Sequence, residues 1–150
     1  MDRFIYIYVE PGEEPDICAG SDVMIERLVG RREDDLTFFE YKGAYILYDK
    51  TSAERNEPMN RLFQFDNGDI TAVSGDFAII ANNPEEFGYV GLSEEQQKTF
   101  FKKFEIPHIF IAAFGKLLVF QHNARTELSL LAAIDVHETP EEEEGEDGES

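Results

Sequence analysis

Leu62-Phe63-Gln64-Phe65, Asp66-Asn67-Gly68-Asp69, Ile70-Thr71-Ala72-Val73 is the stretch that decides the fold. Two short runs rich in aromatic and β-branched residues flank an Asn-Gly pair, the strongest short hairpin signal a sequence offers. A two-residue turn there asks for positive φ at both Asn67 and Gly68. A hairpin commits the chain to antiparallel pairing. Directly before it stands Asn56-Glu57-Pro58-Met59-Asn60-Arg61, the densest run of polar side chains with defined hydrogen-bond geometry. One guanidinium, two amides and a carboxylate sit there beside a proline that fixes φ.

Upstream, Leu36 to Tyr41 and Ala44 to Tyr48 read as two more strands across Lys42-Gly43. Asp49 to Glu57 is then a polar loop. Arg3 to Val9 is a first strand, and Pro11-Gly12-Glu13-Glu14-Pro15 is a turn with φ set at both prolines. Ser21 is placed to cap a helix with Asp22 in its first turn. Val23, Met24, Leu28 and Val29 keep helical spacing up to Gly30, and Arg31 and Arg32 follow at the negative end of the dipole.

Downstream, Gly75 interrupts before an apolar strand from Phe77 to Ala81, which predicts a bulge or a close backbone approach. Asn82 to Gly91 reads as a loop. Ser93-Glu94-Glu95-Gln96 is a complete capping box, and the helix it starts runs to Phe104. Phe100, Phe101 and Phe104 are its buried stripe, with Lys98, Lys102 and Lys103 suited to its C-terminal half. Ile106 to Gln121 fits a hairpin turning at Gly115-Lys116 or a buried helix; its β-branched and aromatic content favours strands. Asn123 is read as the cap of a last helix carrying Ala124, Leu128, Leu131 and Ala132. There is no internal repeat.

The chain has 150 residues, of which 42% are apolar, enough for one domain with a real core. Thirteen Phe and six Tyr make that core aromatic. The net charge of −19 is uneven: Glu138 to Ser150 holds eight acidic residues and no basic one. The remainder still carries 24 acidic against 13 basic residues. We therefore read a single domain over 1–137 and a self-repelling, disordered acidic tail over 138–150. Such a charge argues against binding nucleic acid or an anionic membrane, both polyanions, and favours a basic protein surface as partner. Cys18 is the only cysteine, so no intrachain disulfide forms, as in a reducing, cytoplasmic setting. The apolar run after Arg3 is too short and too aromatic for a signal peptide, and Ile106 to Phe120 is too short to span a membrane.

Sites are sparse. Asn56, Asn60 and Arg61 are the ligand-binding candidates: amides and a guanidinium suit a phosphate, a carboxylate or a base edge. Against that, Asn and Pro shape turns for local reasons, and Arg61 has Glu57 close by as an ion partner. Asp66-Asn67-Gly68-Asp69 resembles a fragment of a calcium loop, but its glycine comes third rather than sixth, so the hairpin reading prevails. His108, His122, His137 and Cys18 show no metal-ligand spacing. A Cys–His nucleophilic pair has no signature behind it, and no glycine-rich phosphate loop or nucleophile elbow is present. Glu13-Glu14, Asp34-Asp35, Glu85-Glu86 and Glu94-Glu95 are adjacent acids that face apart. No catalytic residue, cofactor or metal is expected.

Five pieces in order resemble a known family. They are Pro11-Gly12-Glu13-Glu14-Pro15, a short helix ending Val29-Gly30, Asn56-Glu57-Pro58-Met59-Asn60-Arg61, Ser74-Gly75-Asp76-Phe77-Ala78-Ile79, and Phe87-Gly88 leading to Leu92-Ser93-Glu94-Glu95-Gln96. Together they resemble the small bacteriophage and conjugative-element proteins grouped as domain of unknown function 3846, over about residues 4–104. Gly30-Arg31 stands where the family tends to a glycine pair, and Asp76 where a threonine is usual. The resemblance implies a mobile-element setting, where accessory proteins block host defences; it implies no activity.

The expectation is thus an α+β fold, a mostly antiparallel sheet with two or three helices. The functional expectation is a non-enzymatic accessory protein that binds a basic surface of a host or phage protein, with DNA-mimic inhibition of a defence system as one form. The alternative is a binding module for an anionic or nucleotide-like small ligand, using Asn56, Asn60 and Arg61, with a homo-oligomer left open.

Overall fold

The computed structural model describes residues 3–30, 35–83, 86–122 and 127–135. They fall into two compact units, Met1–Pro107 and His108–Ser150, where the sequence reading draws one domain through residue 137. The fold is α+β, with antiparallel sheets and two helices among the described residues.

The first unit is built on strands β1 (Phe4–Val9), β2 (Asp16–Gly20), β3 (Leu36–Tyr41), β4 (Ala44–Asp49), β7 (Phe77–Asn83) and β8 (Glu86–Val90). They pair in the order β2-β1-β7-β4-β3, and β8 also pairs with β7. Every pairing is antiparallel. Strands β5 (Met59–Gln64) and β6 (Ile70–Ser74) form a separate hairpin. Helix α1 spans Asp22–Val29 and α2 spans Glu94–Phe104.

The period-2 alternation of β1, β4 and β7 sends residues to two faces. Register aligns Ile7 with Ile79, Ile79 with Ile46, and Ile46 with Phe39. That face packs against Phe63 and Val73 of the hairpin and Phe100 and Phe104 of α2. The opposite face presents Tyr6, Leu47, Ala78 and Ile80 to Ile25 and Val29 of α1. The hairpin thus closes the larger core, with Phe63 set edge-on against Phe39, Tyr41 and Phe77.

Local chemistry ends these elements where the residues demand it. Ser21 accepts the Met24 amide at 3.4 Å, and Ser93 and Gln96 exchange both bonds of a capping box. Lys42 and Gly43 both take positive φ, 50° and 84°, in the β3–β4 turn.

Several expectations need correction. The Asn-Gly hairpin forms, but only Gly68 has positive φ (96°); Asn67 instead uses its side-chain oxygen to accept the Asp69 amide at 2.9 Å. The turn is one residue longer than the two-residue type, closed by the Gly68 amide donating to the Phe65 carbonyl. β2 was not foreseen: it is a short edge strand directly after Pro15. The loop expected over Asn82 to Gly91 contains β8, which extends the pairing of β7. Arg31, Arg32, Asn123, Ala124 and the acidic tail lie outside the described residues.

The second unit is a meander of β9 (His108–Ala113), β10 (Lys116–His122) and β11 (Leu128–Asp135), in the order β11-β10-β9. The hairpin alternative for Ile106 to Gln121 is the one realised. It turns at Phe114 and Gly115 (φ 56° and 73°), one residue before the expected position. The last helix is not formed: Leu128, Leu131 and Ala132 lie in β11, paired to β10 across a bulge at Val119/Phe120. Helical spacing there arises because both faces of the strand are apolar, which erases the period-2 signal.

Candidate functional site: an acidic corner on a buried arginine frame

The polar loop after β4 organises itself around Arg55. Asp49, almost fully buried at the end of β4, accepts the Thr51 amide (2.8 Å) and hydroxyl (2.7 Å) with one oxygen. Its other oxygen accepts Arg55 Nη2 at 3.1 Å. Arg55 also donates Nε and Nη2 to Glu57 Oε2 at 3.0 and 2.7 Å, and Nη1 to the Thr51 hydroxyl. Glu57 is therefore the partner of Arg55, not of Arg61 as the sequence reading suggested. The carboxylates of Glu57 and Asp49 hold the Arg55 guanidinium above its ordinary pKa.

Gly75 explains itself here. Its φ is +77°, and a Cβ on it would stand 2.4 Å from Glu57 Oε1 and 2.7 Å from Ser52 Oγ. The expected close approach is between this loop and the β6–β7 corner.

Asn60 and Arg61 point inward. Both are fully buried. Asn60 donates its two amide hydrogens to the carbonyls of Val9 (2.9 Å) and Gly75 (2.8 Å), and its oxygen accepts Arg61 Nη1 at 2.9 Å. Arg61 Nη2 donates to the carbonyls of Glu13 (2.6 Å) and Phe104 (2.8 Å). Among the described residues no carboxylate pairs with Arg61, and its Nε has no partner. Burial alone pushes its pKa down to about 10, so it stays charged at neutral pH. Its Nη hydrogens are spent on the protein itself. Asn56 is separate from this pair: it is exposed, takes positive φ (60°), and its side chain makes no hydrogen bond among the described residues. The three candidates of the sequence are thus not brought together; two are a frame and one is a turn residue.

What the frame holds in place is acidic. Arg61 fixes the Glu13 carbonyl and Asn60 the Val9 carbonyl, which anchors both sides of the turn between β1 and β2. Glu10 and Glu13 stand on that turn, Asp16 opens β2, and Asp76 follows Gly75 on the neighbouring corner. Glu10 is raised above its ordinary pKa by partial burial first, then by Asp76, Asp16 and Glu13, so every charge acting on it is negative. Asp76 accepts the Tyr8 hydroxyl, which also lies 3.0 Å from the Leu28 carbonyl at the end of α1. Desolvation, then the contact with Asp76, raises the Tyr8 phenol far above its usual value, so this hydroxyl remains a donor.

A cleft of about 500 Å³ opens beside Asp76, walled by Glu57, Arg55, Arg27 and Gly30. Arg55 is neutralised within the wall by Asp49 and Glu57. Asp76 and Glu57 line this cleft together with Arg27, and Glu10, Glu13 and Asp16 stand near enough to the corner for their charges and that of Asp76 to act on one another. Sequence reasoning missed Glu10, Asp16 and Asp76 because they come together only through β1–β2 and β1–β7 pairing. A larger, more apolar groove of about 770 Å³ lies between β2 and α2, with Ile17 and Phe101 on its walls and lysines among its lining. Its lining mixes Glu94 and Glu105 with Lys98 and Lys102.

Other chemistry is thin. Cys18 is half-buried, its Sγ donates to the Asp16 carbonyl at 3.7 Å, and burial raises its pKa, which keeps it a thiol. Among the described residues no three His, Cys, Asp or Glu side chains are grouped to hold a metal ion. No described helix is long and apolar enough to cross a membrane. No family model, no curated protein and no solved structure matches the chain.

Proposed function

We propose that this chain is a non-enzymatic binding protein that captures a lysine- and arginine-rich surface of another protein through its acidic corner. The observation that carries the reading is that the Tyr8–Asp16 and Val9–Phe77 register brings Asp16 and Asp76 beside the β1–β2 turn that holds Glu10 and Glu13, where Asp76, Asp16 and Glu13 all act on Glu10 as like charges. Folding such a corner against its own repulsion is compensated when a cationic partner arrives. The stiff frame beneath it supports the same reading, because a preorganised set of acceptors loses little freedom on binding.

No family model matches the chain, and the mobile-element, cytoplasmic setting of this proposal rests on the resemblance of the five sequence pieces alone. There the partner is a basic, nucleic-acid-binding surface of a host or phage protein, and occupying it inhibits that protein as a DNA mimic does. Glu10 and Glu13 on the β1–β2 turn, Asp16 opening β2 and Asp76 on the neighbouring corner supply the clustered negative charge such mimicry needs, since duplex DNA carries a charge per ~1.7 Å of axis.

The test is titration of full-length protein with a fluorescent octalysine peptide at stepped salt. Neutralising the corner (Glu10→Gln, Glu13→Gln, Asp16→Asn, Asp76→Asn) should weaken binding by about tenfold, and raising salt should weaken it in the parent. A control neutralising Glu54, Asp66, Asp69 and Glu94 removes the same charge elsewhere. If the two sets lose affinity equally, binding follows net charge and the corner is not a site.

A further inference from the structure

The second unit carries a surface of opposite character. Register puts Ile111, Leu118 and Ala133 in one row of its sheet and Ile109, Phe120 and Leu130 in the next. Paired residues share a face, so these two rows are apolar from edge to edge, with the Lys116–Asp135 ion pair at the end of the same face. The other face is apolar as well, with Phe110, Val119 and Ala132 in a row. Val119 is fully buried, whereas Ile111, Leu128 and Leu130 are 43%, 52% and 57% exposed. A sheet apolar on both faces needs a layer on each.

Charge says what that layer is. Residues 1–107 carry 22 acidic and 11 basic residues, and the last thirteen carry eight acids. Residues 108–137 carry two of each and are neutral. A cationic partner is drawn to the acidic parts; on this sheet it meets only Asp135, which is already paired with Lys116. The rest of the chain is net acidic and repels a second copy as a whole, whereas this net-neutral, mostly apolar face is its own complement about a two-fold axis.

We infer that the exposed face of β9–β10–β11 is a homodimer interface, in which two three-stranded sheets stack face to face about 10 Å apart. Strands spaced about 5 Å and rising about 3.3 Å per residue give a planar footprint of roughly 300 Å² per copy. That is well under the ~800 Å² per partner of a standard stable interface. The dimer is therefore reversible and concentration-dependent. It also has a salt signature opposite to that of capturing a basic partner: screening the acidic bodies strengthens it.

Sedimentation equilibrium of the full chain between about 5 and 200 µM, at low and high salt, tests this. We expect a monomer–dimer equilibrium whose dissociation constant falls about threefold or more as salt rises through the range where the Debye length shrinks below 10 Å. Leu130→Asp and Ile111→Asp, both at exposed positions, should each raise that constant about tenfold or more by burying a carboxylate against its copy. Leu130→Asn repeats the test without added charge, and circular dichroism verifies that the variants fold. Phe38→Asp, on the 61%-exposed side chain of β3, should leave the dimer unchanged. A chain that stays monomeric at 200 µM in high salt overturns the inference, including the case in which the face takes only a different polypeptide. So does a dimer indifferent to Leu130→Asp and Ile111→Asp, or one lost on Phe38→Asp.

Discussion

Arg61 is a buried cation with no anion beside it among the described residues. Its charge is dispersed over the carbonyls of Glu13 and Phe104 and the Asn60 side chain. Such a group holds three segments in one place at the expense of desolvation. Arg61→Met keeps the volume but strands those carbonyls, so we expect a loss of about 3 kcal/mol of stability in urea unfolding. A variant as stable as the parent would mean that the guanidinium is not the frame. Gly75 is the second critical residue, with positive φ and Glu57 and Ser52 against it. Gly75→Ala should cost about 2 kcal/mol from strain and collision together. Gly12→Ala, also at positive φ but in open space, should cost less in the same assay. Residue types at 56–61 announced a polar focus, but not whether its donors face ligand or backbone. That depends on where Val9, Glu13 and Phe104 return in space.

At the scale of elements, α2 is the most legible part of the chain. Its cap, its acidic first turn and the burial of Phe100 and Phe104 are local patterns and are realised, whereas Phe101, expected in the same buried stripe, is only partly buried and lines the groove beside β2. Ser93→Ala removes one bond of the capping box and should cost about 1 kcal/mol, read as a lowered urea midpoint with unchanged slope. The β3–β4 and β5–β6 hairpins were equally readable, since turn residues and strand alternation sit within a few positions of each other. β2 and β8 were not. Asp16-Ile17-Cys18-Ala19-Gly20 has weak alternation, and it is a strand because β1 offers it a partner. β11 went wrong for a different reason: a strand with two apolar faces mimics helical spacing.

For the whole molecule, charge dominates. The first unit carries twice as many acidic as basic residues, so its compact state repels itself. Raising sodium chloride from about 20 to 300 mM should raise the midpoint of thermal unfolding, since surface repulsion is screened beyond about a Debye length. A midpoint that falls would indicate that attractive surface pairs outweigh the repulsion. Glu10 adds a pH dependence. Its folded pKa lies above the ordinary 4.5, so its favourable contribution is complete below that pH and is lost as pH rises through the folded value. At pH 7 its charge is a cost, and Glu10→Gln should stabilise by about 0.3 kcal/mol, the scale of exposed charge interactions. The gain should vanish near pH 3, where both side chains are neutral. A stabilisation equal at both pH values would remove like-charge repulsion as its cause.

By itself the sequence determined the class: antiparallel hairpins with helices, an aromatic core, a strongly acidic balance and a complete cap on α2. Each of these is set by neighbours within a few residues, or by composition alone. Only the tertiary structure decided which polar side chains turn inward, which carboxylates meet, and that the chain divides after Pro107. Those outcomes depend on contacts between residues far apart in the chain, such as Asn60 with Val9 and Arg61 with Phe104. Such contacts leave no local periodicity, because they are selected by the pairing of β1 with β7 and by the packing of α2 on the core.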